Sequence, residues 1–175
     1  MGHTGRFACV RAAYYGSRMA TLRWQWCSLH ELSAAEVYAL LAARSAVFVV
    51  EQSCPYQDAD GYDLDAQHLI VWSGADVAAC LRVIAPHVKY AERSIGRIIT
   101  TQPFRGTGLG RALVAHALNR VDAQWPGEPL RIGAQARLRA FYESFGFHKA
   151  SEVYMEDGIP HIEMVRPAPP PPAAW

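Results

Sequence analysis

Arg105, Gly106, Gly108, Gly110 and Arg111 stand in the stretch "RGTGLGR", between a β-branched run that meets a proline and a segment of helical pattern. Residues of these types at this spacing can hold an anion. Glycine lets the backbone turn with no side chain in the way, so successive amides can face one point. A helix starting there adds unpaired N–H groups and a partial positive charge. Together these features form a pyrophosphate cradle built on Arg105, Gly106, Thr107, Gly108, Leu109, Gly110 and Arg111, with the two arginines as flanking charge. The alternative is a tight strand-to-helix turn that binds nothing.

Two better-known nucleotide loops do not match. A triphosphate loop needs GxxxxGK[ST], and "GTGLGRAL" has neither the lysine nor the hydroxyl at that place. A dinucleotide fingerprint needs GxGxxG directly after the first strand of a βαβ unit. Here the spacing is GxGxG, and the loop comes late in the chain, after several strands of antiparallel type.

Other groups that move protons or bind metals are scattered. Glu51 ends the first helical segment, His68 opens a strand, and His161 follows a hairpin turn. Cys54 precedes Pro55 with no histidine placed beside it, which argues against a nucleophilic thiol. The four cysteines form no CxxC pair and the seven histidines no HExxH spacing, so no metal site is expected. "DADGYDLD" has calcium-loop acids but lacks the EF-hand layout and its closing glutamate. The cysteine pattern reads as reduced thiols in a cytoplasmic protein. A net charge of +1 gives no overall bias toward nucleic acid or an anionic membrane. No apolar run approaches the roughly 18–20 residues of a membrane helix.

The elements that must position these groups follow from periodicity and punctuation. The chain of 175 residues suits one domain. Residues 1–18 read as an N-terminal extension, 19–166 as the domain, and the proline-rich residues 167–175 as a disordered tail. "TLRWQWC" alternates like a strand. Ser33 and Glu36 have capping-box spacing and open a helix presenting Val37, Leu40, Leu41, Arg44 and Phe48, with "VFVVEQ" a separate turn or short helix at its end. "SCPYQDADGYDLDAQ" is an acidic loop. "HLIVWSGADVAACLRVIAP" is a hairpin turning at Ser73 to Asp76. "SIGRIIT" is a strand, and the glycine loop leads into a helix from about Gly108 to Ala123. "LRIGA" is a short strand, "QARLRAFYESFGF" a helix, and the remainder two strands around the turn at Glu156 to Pro160. The order is not the regular βα alternation of a doubly wound sheet.

These residues resemble the GCN5-related N-acetyltransferase (GNAT) superfamily. In that family a strand precedes R/Q-x-x-G-x-G/A, as in "RIITTQPFRGTGLG" here. A strand, a polar residue and a tyrosine-bearing helix ending in "GF" then follow, as in "LRIGAQARLRAFYESFGF", with Gln135 where asparagine is usual. The segments "VYALLAARSAVFVVEQSCPYQDADGYD" and "EVYMEDGIPHIEM" are similar to the ElaA-like subgroup. The likeness runs from about Met19 to Arg166.

The resemblance implies an α+β fold, with a central, mixed, mostly antiparallel twisted sheet of about six to seven strands flanked by helices. That sheet would be splayed between the strand before the glycine loop and the next one. It implies acetyl-CoA as co-substrate, with pyrophosphate on the glycine-loop amides and the pantetheine arm along the strand edge at Ile98, Ile99 and Thr100. Gln135 would join the cofactor site, and Gly133 would suit the break in pairing. It implies direct acetyl transfer to a primary amine on a small molecule or peptide, with Tyr142 as the acid that protonates the leaving thiolate. On spacing alone Tyr142 reads as a core aromatic on the helix face with Leu138 and Phe145, and only the resemblance gives it the acid role. Glu51, through a water, is the expected base. The acids Asp58, Asp60, Asp63, Asp65, Glu156 and Asp157 would favour a cationic acceptor, or simply form a solvated loop. The alternative function is a catalytically silent domain that binds acetyl-CoA or CoA as sensor or scaffold. Oligomeric state is not encoded in any motif.

Overall fold

The computed structural model describes residues 21–168. The expected extension at residues 1–18 and the tail beyond residue 168 lie outside the described residues. The elements are β1 (Arg23–Ser28), α1 (Ala34–Ser45), β2 (Gln67–Ser73), β3 (Asp76–Ile84), β4 (Arg93–Thr100), α2 (Leu109–Gln124), β5 (Leu130–Gln135), α3 (Arg139–Glu143), β6 (His148–Lys149), β7 (Tyr154–Glu156) and β8 (Ile159–Arg166). A π-helical turn, Ala46–Glu51, continues α1 without a break.

Strand order is β1-β2-β3-β4-β5-β8-β6, with β7 on β8. The sheet therefore has eight strands rather than six or seven, the addition being the two-residue β6. Every pairing is antiparallel except β4 with β5. No helix among the described residues is long and apolar enough to cross a membrane.

Local chemistry accounts for the elements that carry the site. Ser33 caps α1: its hydroxyl accepts from the Glu36 amide at 3.3 Å, and the Glu36 carboxylate accepts from the Ser33 amide at 3.0 Å. Such a cap contributes about 1 kcal/mol. β2 is buried on both faces, which explains its unbroken apolar run. Leu69 and Val71 pack with Leu113, Val114, Ala117 and Val121 of α2. Ile70 and Trp72 pack with Leu40 and Val47 from the α1 side. The sheet is thus sandwiched, and α2 is fixed by its own core face.

The sheet opens where β4 meets β5. They pair only at Arg93 with Leu130 and Ser94 with Arg131. Beyond that point β4 stays on β3 as far as Thr100, and β5 stays on β8 as far as Gln135. A bulge in β4 accompanies the opening: Arg82 faces Gly96 and Cys80 faces Ile99, so Arg97 and Ile98 oppose Leu81 alone. Arg97 adopts a left-handed φ of 52° there. A bulge bends its strand and leaves backbone groups unpaired.

Gly133 lies past the last β4–β5 pair, on the splayed stretch where the break was expected. Its pairing with Glu163 on β8 is unbroken. A Cβ at this position would lie 3.3 Å from the hydroxyl oxygens of both Tyr90 and Tyr154. Gly133 admits those two tyrosines; the splay itself comes from divergent partners.

Candidate active site

The split between β4 and β5 forms a cleft of about 650 Å³. Its lining brings together Glu51, Ile98, Ile99, Thr100, Arg105, Gly110, Gln135 and Tyr142, which the sequence places far apart.

At one end lies the glycine loop. Gly106 and Gly108 hold φ values of 75° and 85°, a region other residues enter only with strain. Gly110 matters for a different reason, since a Cβ there would sit 3.1 Å from Thr100 Oγ1. The first amide after Arg105 with an acceptor is that of Ala112, bonded to the Gly108 carbonyl at 3.1 Å. Among the described residues, no acceptor meets the amides from Gly106 to Arg111. That run of donors stands at the start of a sixteen-residue helix, where the helix dipole is positive. Thr107 turns its hydroxyl inward to the Phe104 carbonyl at 2.7 Å, which secures the loop.

The flanking cations are engaged. Arg105 donates from Nη1 and Nη2 to Glu51 at 2.6 and 2.9 Å and from Nε to the Thr100 carbonyl at 2.9 Å. Arg111 lies over the rings of Phe141 and Phe145 at 5.5 and 5.0 Å, bridging α2 to α3.

The Arg105 pair bears on the expected role of Glu51. Both carboxylate oxygens are bound, and the hydrogen bonds from Arg105 hold its pKa below the ordinary carboxylate value. A carboxylate committed to a guanidinium is a weaker proton acceptor than a free one.

Tyr142 is buried, and burial pushes its pKa up to about 12. Its ring packs edge-on against Phe141 and Phe147, at 5.0 and 6.1 Å. Its hydroxyl has no hydrogen-bond partner among the described residues, while the residue lines the cleft. The ring is therefore a packing group and the hydroxyl is free for other work. Gln135, at the end of β5, donates from Nε2 to Gln52 Oε1 at 3.2 Å and accepts from Arg137 Nε at 3.0 Å. It ties β5 to the π-helical end of α1. Cys54 also lines the cleft, but its Sγ sits 3.4 Å from the Asp157 carbonyl and no histidine contacts it. It pins the loop to the β7–β8 turn.

A second cluster was not foreseen. Asp58, Asp60 and Asp63 do not form a solvated acidic face; they are consumed by three arginines. Arg44 donates to Asp58 at 2.8 Å and to Asp63 at 2.5 Å. Arg82 donates to Asp60 at 2.6 Å and to Asp63 at 2.9 Å. Arg97, displaced by the β4 bulge, reaches Asp60 at 2.9 Å. His68 Nε2 lies 3.0 Å from the Asp63 carbonyl, and burial lowers its pKa, so the neutral ring is favoured. His68 is structural. Burial alone would raise the Asp60 pKa, but Arg82 and Arg97 outweigh it and bring the group down to about 2. Glu156 and Asp157 are the acids of the expected set that line the cleft without an arginine partner among the described residues. The one advance signal for the network was Arg44 at an apolar position of the α1 period.

With this geometry in place, relatives are informative. Residues 43–167 match the Acetyltransferase (GNAT) domain family. Protein ElaA of Escherichia coli (strain K12) is 46% identical over 146 residues, 81% of this chain and 95% of that protein. A Mycobacterium tuberculosis (strain H37Rv) relative, UPF0039 protein Rv2851c, is 39% identical over 150 residues, covering 83% of this chain and 92% of its own length. The crystal structure of an acyl-CoA N-acyltransferase from Pseudomonas aeruginosa superposes with a TM-score of 0.80 at 42% identity, over 83% of this chain and 99% of that one. The crystal structure of E. coli ElaA gives 0.78 at 44%, with the same coverage. A split mixed sheet, an anion cradle after its open strand and these likenesses along most of the chain lead to one assignment: the protein is an ElaA-like acyltransferase of the GNAT family.

Proposed function

We propose that the protein transfers an acetyl group from acetyl-CoA directly to a primary amine. The observation that carries this reading is the run of unpartnered amides from Gly106 to Arg111 at the mouth of a cleft between two diverging parallel strands. The amides offer donors to a pyrophosphate. The free edge of β4 at Ile98, Ile99 and Thr100 offers backbone partners to the amide-rich pantetheine arm, as an added strand would. That line runs from the loop toward Tyr142. Arg105, held by Glu51 and the Thr100 carbonyl, would flank the phosphates as a fixed charge, while Gln135 ties the cleft wall together through its bonds to Gln52 and Arg137.

Tyr142 is the proposed acid. A phenol whose pKa lies near 12 stays protonated at neutral pH and can give its proton to a thiolate as the C–S bond breaks. The desolvated setting strengthens that hydrogen bond as charge develops on sulfur. No cysteine acts as nucleophile in this scheme, because Cys54 lacks an activating base. Glu156 and Asp157 would face the amine side, on the far flank from the glycine loop.

Calorimetry with acetyl-CoA tests the binding half. Thiol release with a panel of primary amines tests transfer. Binding without thiol release on any amine would favour a silent acyl-CoA sensor.

A further inference from the structure

Transfer to an amine needs a group that removes a proton. A lysine-type ammonium has a pKa of about 10.4 and carries no lone pair until a proton leaves. Among the described residues, the carboxylates and the one imidazole in the cleft lining are Glu51, Asp60, Glu156, Asp157 and His161. Arg105 occupies both oxygens of Glu51. Arg82 and Arg97 occupy Asp60. That leaves the β7–β8 hairpin.

Resting on the acetyltransferase reading above, we infer that His161 is the base that takes the proton from the acceptor amine, through Nε2. His161 stands on β8 directly opposite Gln135, the residue from which the chain turns into α3 and Tyr142. Its Nδ1 lies 2.8 Å from the Ile159 carbonyl oxygen. A carbonyl only accepts, so the neutral ring carries its hydrogen on Nδ1 and presents a lone pair at Nε2. Nε2 has no hydrogen-bond partner among the described residues. Glu156 Oε2 lies 4.0 Å from Nδ1, placed to stabilise the imidazolium once a proton arrives. The Tyr154 ring lies beside the imidazole, with centroids 6.1 Å apart. The other charged groups that line the same cleft are Asp157, Arg137, the Glu51–Arg105 pair, Lys89, and Asp60 with Arg82 and Arg97.

The proton count closes. Nε2 takes one proton from the ammonium and later yields it to solvent. The freed nitrogen lone pair bonds to the thioester carbonyl carbon, and the C–S bond breaks as the adduct collapses. The nitrogen's second proton leaves to solvent as the amide forms, and solvent returns one proton to Tyr142 after its own has gone to the thiolate.

The test uses the full chain, acetyl-CoA, and butylamine and phenethylamine as probe amines, with His161→Asn as the variant. Acetyl-CoA affinity by calorimetry should match wild type; absence of binding in both proteins would instead strike the acetyltransferase reading. Nitrogen–proton correlation spectra of the wild-type imidazole should show the Nδ1–H tautomer, and an Nε2–H tautomer overturns the inference whatever the probe amines do. Thiol release in the variant should fall at least ~100-fold in kcat/KM at pH 7, and the gap should narrow as pH approaches the amine's own pKa, where no base is needed. A deficit equal at all pH values, or none, would also overturn it.

Discussion

The loop over the α1 end of the sheet and the cleft between β4 and β5 use the same kinds of group in opposite ways. Under the loop, Arg44, Arg82 and Arg97 meet Asp58, Asp60 and Asp63, and nearly every charge is spent on another. In the cleft, the amides of Gly106 to Arg111, the outer edge of β4 and the Tyr142 hydroxyl have no partner among the described residues. A buried charge left unpaired costs several kcal/mol, so the arginine–aspartate pairs are needed to hold the fold. The loop amides are largely exposed, so they are free to meet water or a ligand. Arg97 joins the two regions, since the bulge that opens β4 also turns this arginine toward Asp60.

The largest effect should come from breaking the saturated region. Asp63→Ala strips an acceptor from both Arg44 and Arg82 and leaves buried charge uncompensated. A loss of about 3–5 kcal/mol in denaturant unfolding is expected. Acetyl-CoA affinity of the folded fraction should change little. A loss below 1 kcal/mol would mean the network is dispensable.

Gly108→Glu acts on the open region. It places an anion in the cradle at a position with a φ of 85°. Losing two charge-assisted bonds should weaken acetyl-CoA binding about 100-fold or more by calorimetry. Gly108→Ala, with the same backbone strain and no charge, should lose much less, which separates strain from electrostatics.

Tyr142→Phe should be quieter still for the fold. The ring packing against Phe141 and Phe147 is kept, so stability should hold within about 1 kcal/mol. In single-turnover thiol release the rate should drop about 10-fold or more with acetyl-CoA affinity preserved. An unchanged single-turnover rate would leave Tyr142 a packing residue.

The smallest effect concerns acid. Asp60 has a folded-state pKa of about 2 against an ordinary 3.8. A depressed carboxylate contributes stability that is present above its unfolded pKa and lost as pH falls through the folded one. The unfolding midpoint should therefore decline between about pH 4 and pH 2, and Asp60→Asn should flatten that decline.

Sequence carried the local parts of this architecture well. The glycine loop is legible because its conformation is set by residues that are neighbours in the chain. The Ser33 cap and the Gly74 turn are legible for the same reason. The splay of β4 from β5 came through resemblance, since nothing in "SIGRIIT" or "LRIGA" states which strands they pair with. What stayed hidden is the choice of partner at long range. Glu51 looks like a free base until Arg105, 54 positions away, claims it. Asp60 looks solvated until Arg82 and Arg97 arrive from the sheet. Gly133 marks the break in pairing with β4, but nothing near it in the chain announces the two tyrosine hydroxyls above it. Tyr142 reads as core by period, and its ring is core; only the structure separates ring from hydroxyl.

Amide chemical-shift mapping with acetyl-CoA probes both regions of the folded protein at once. The largest shifts are expected at Gly106 to Arg111, with slowed amide exchange at Ile98 to Thr100 and little change at Asp58 to His68. Resonances of Gly106 to Arg111 that stay unmoved at saturating acetyl-CoA would rule out the glycine loop as the pyrophosphate site.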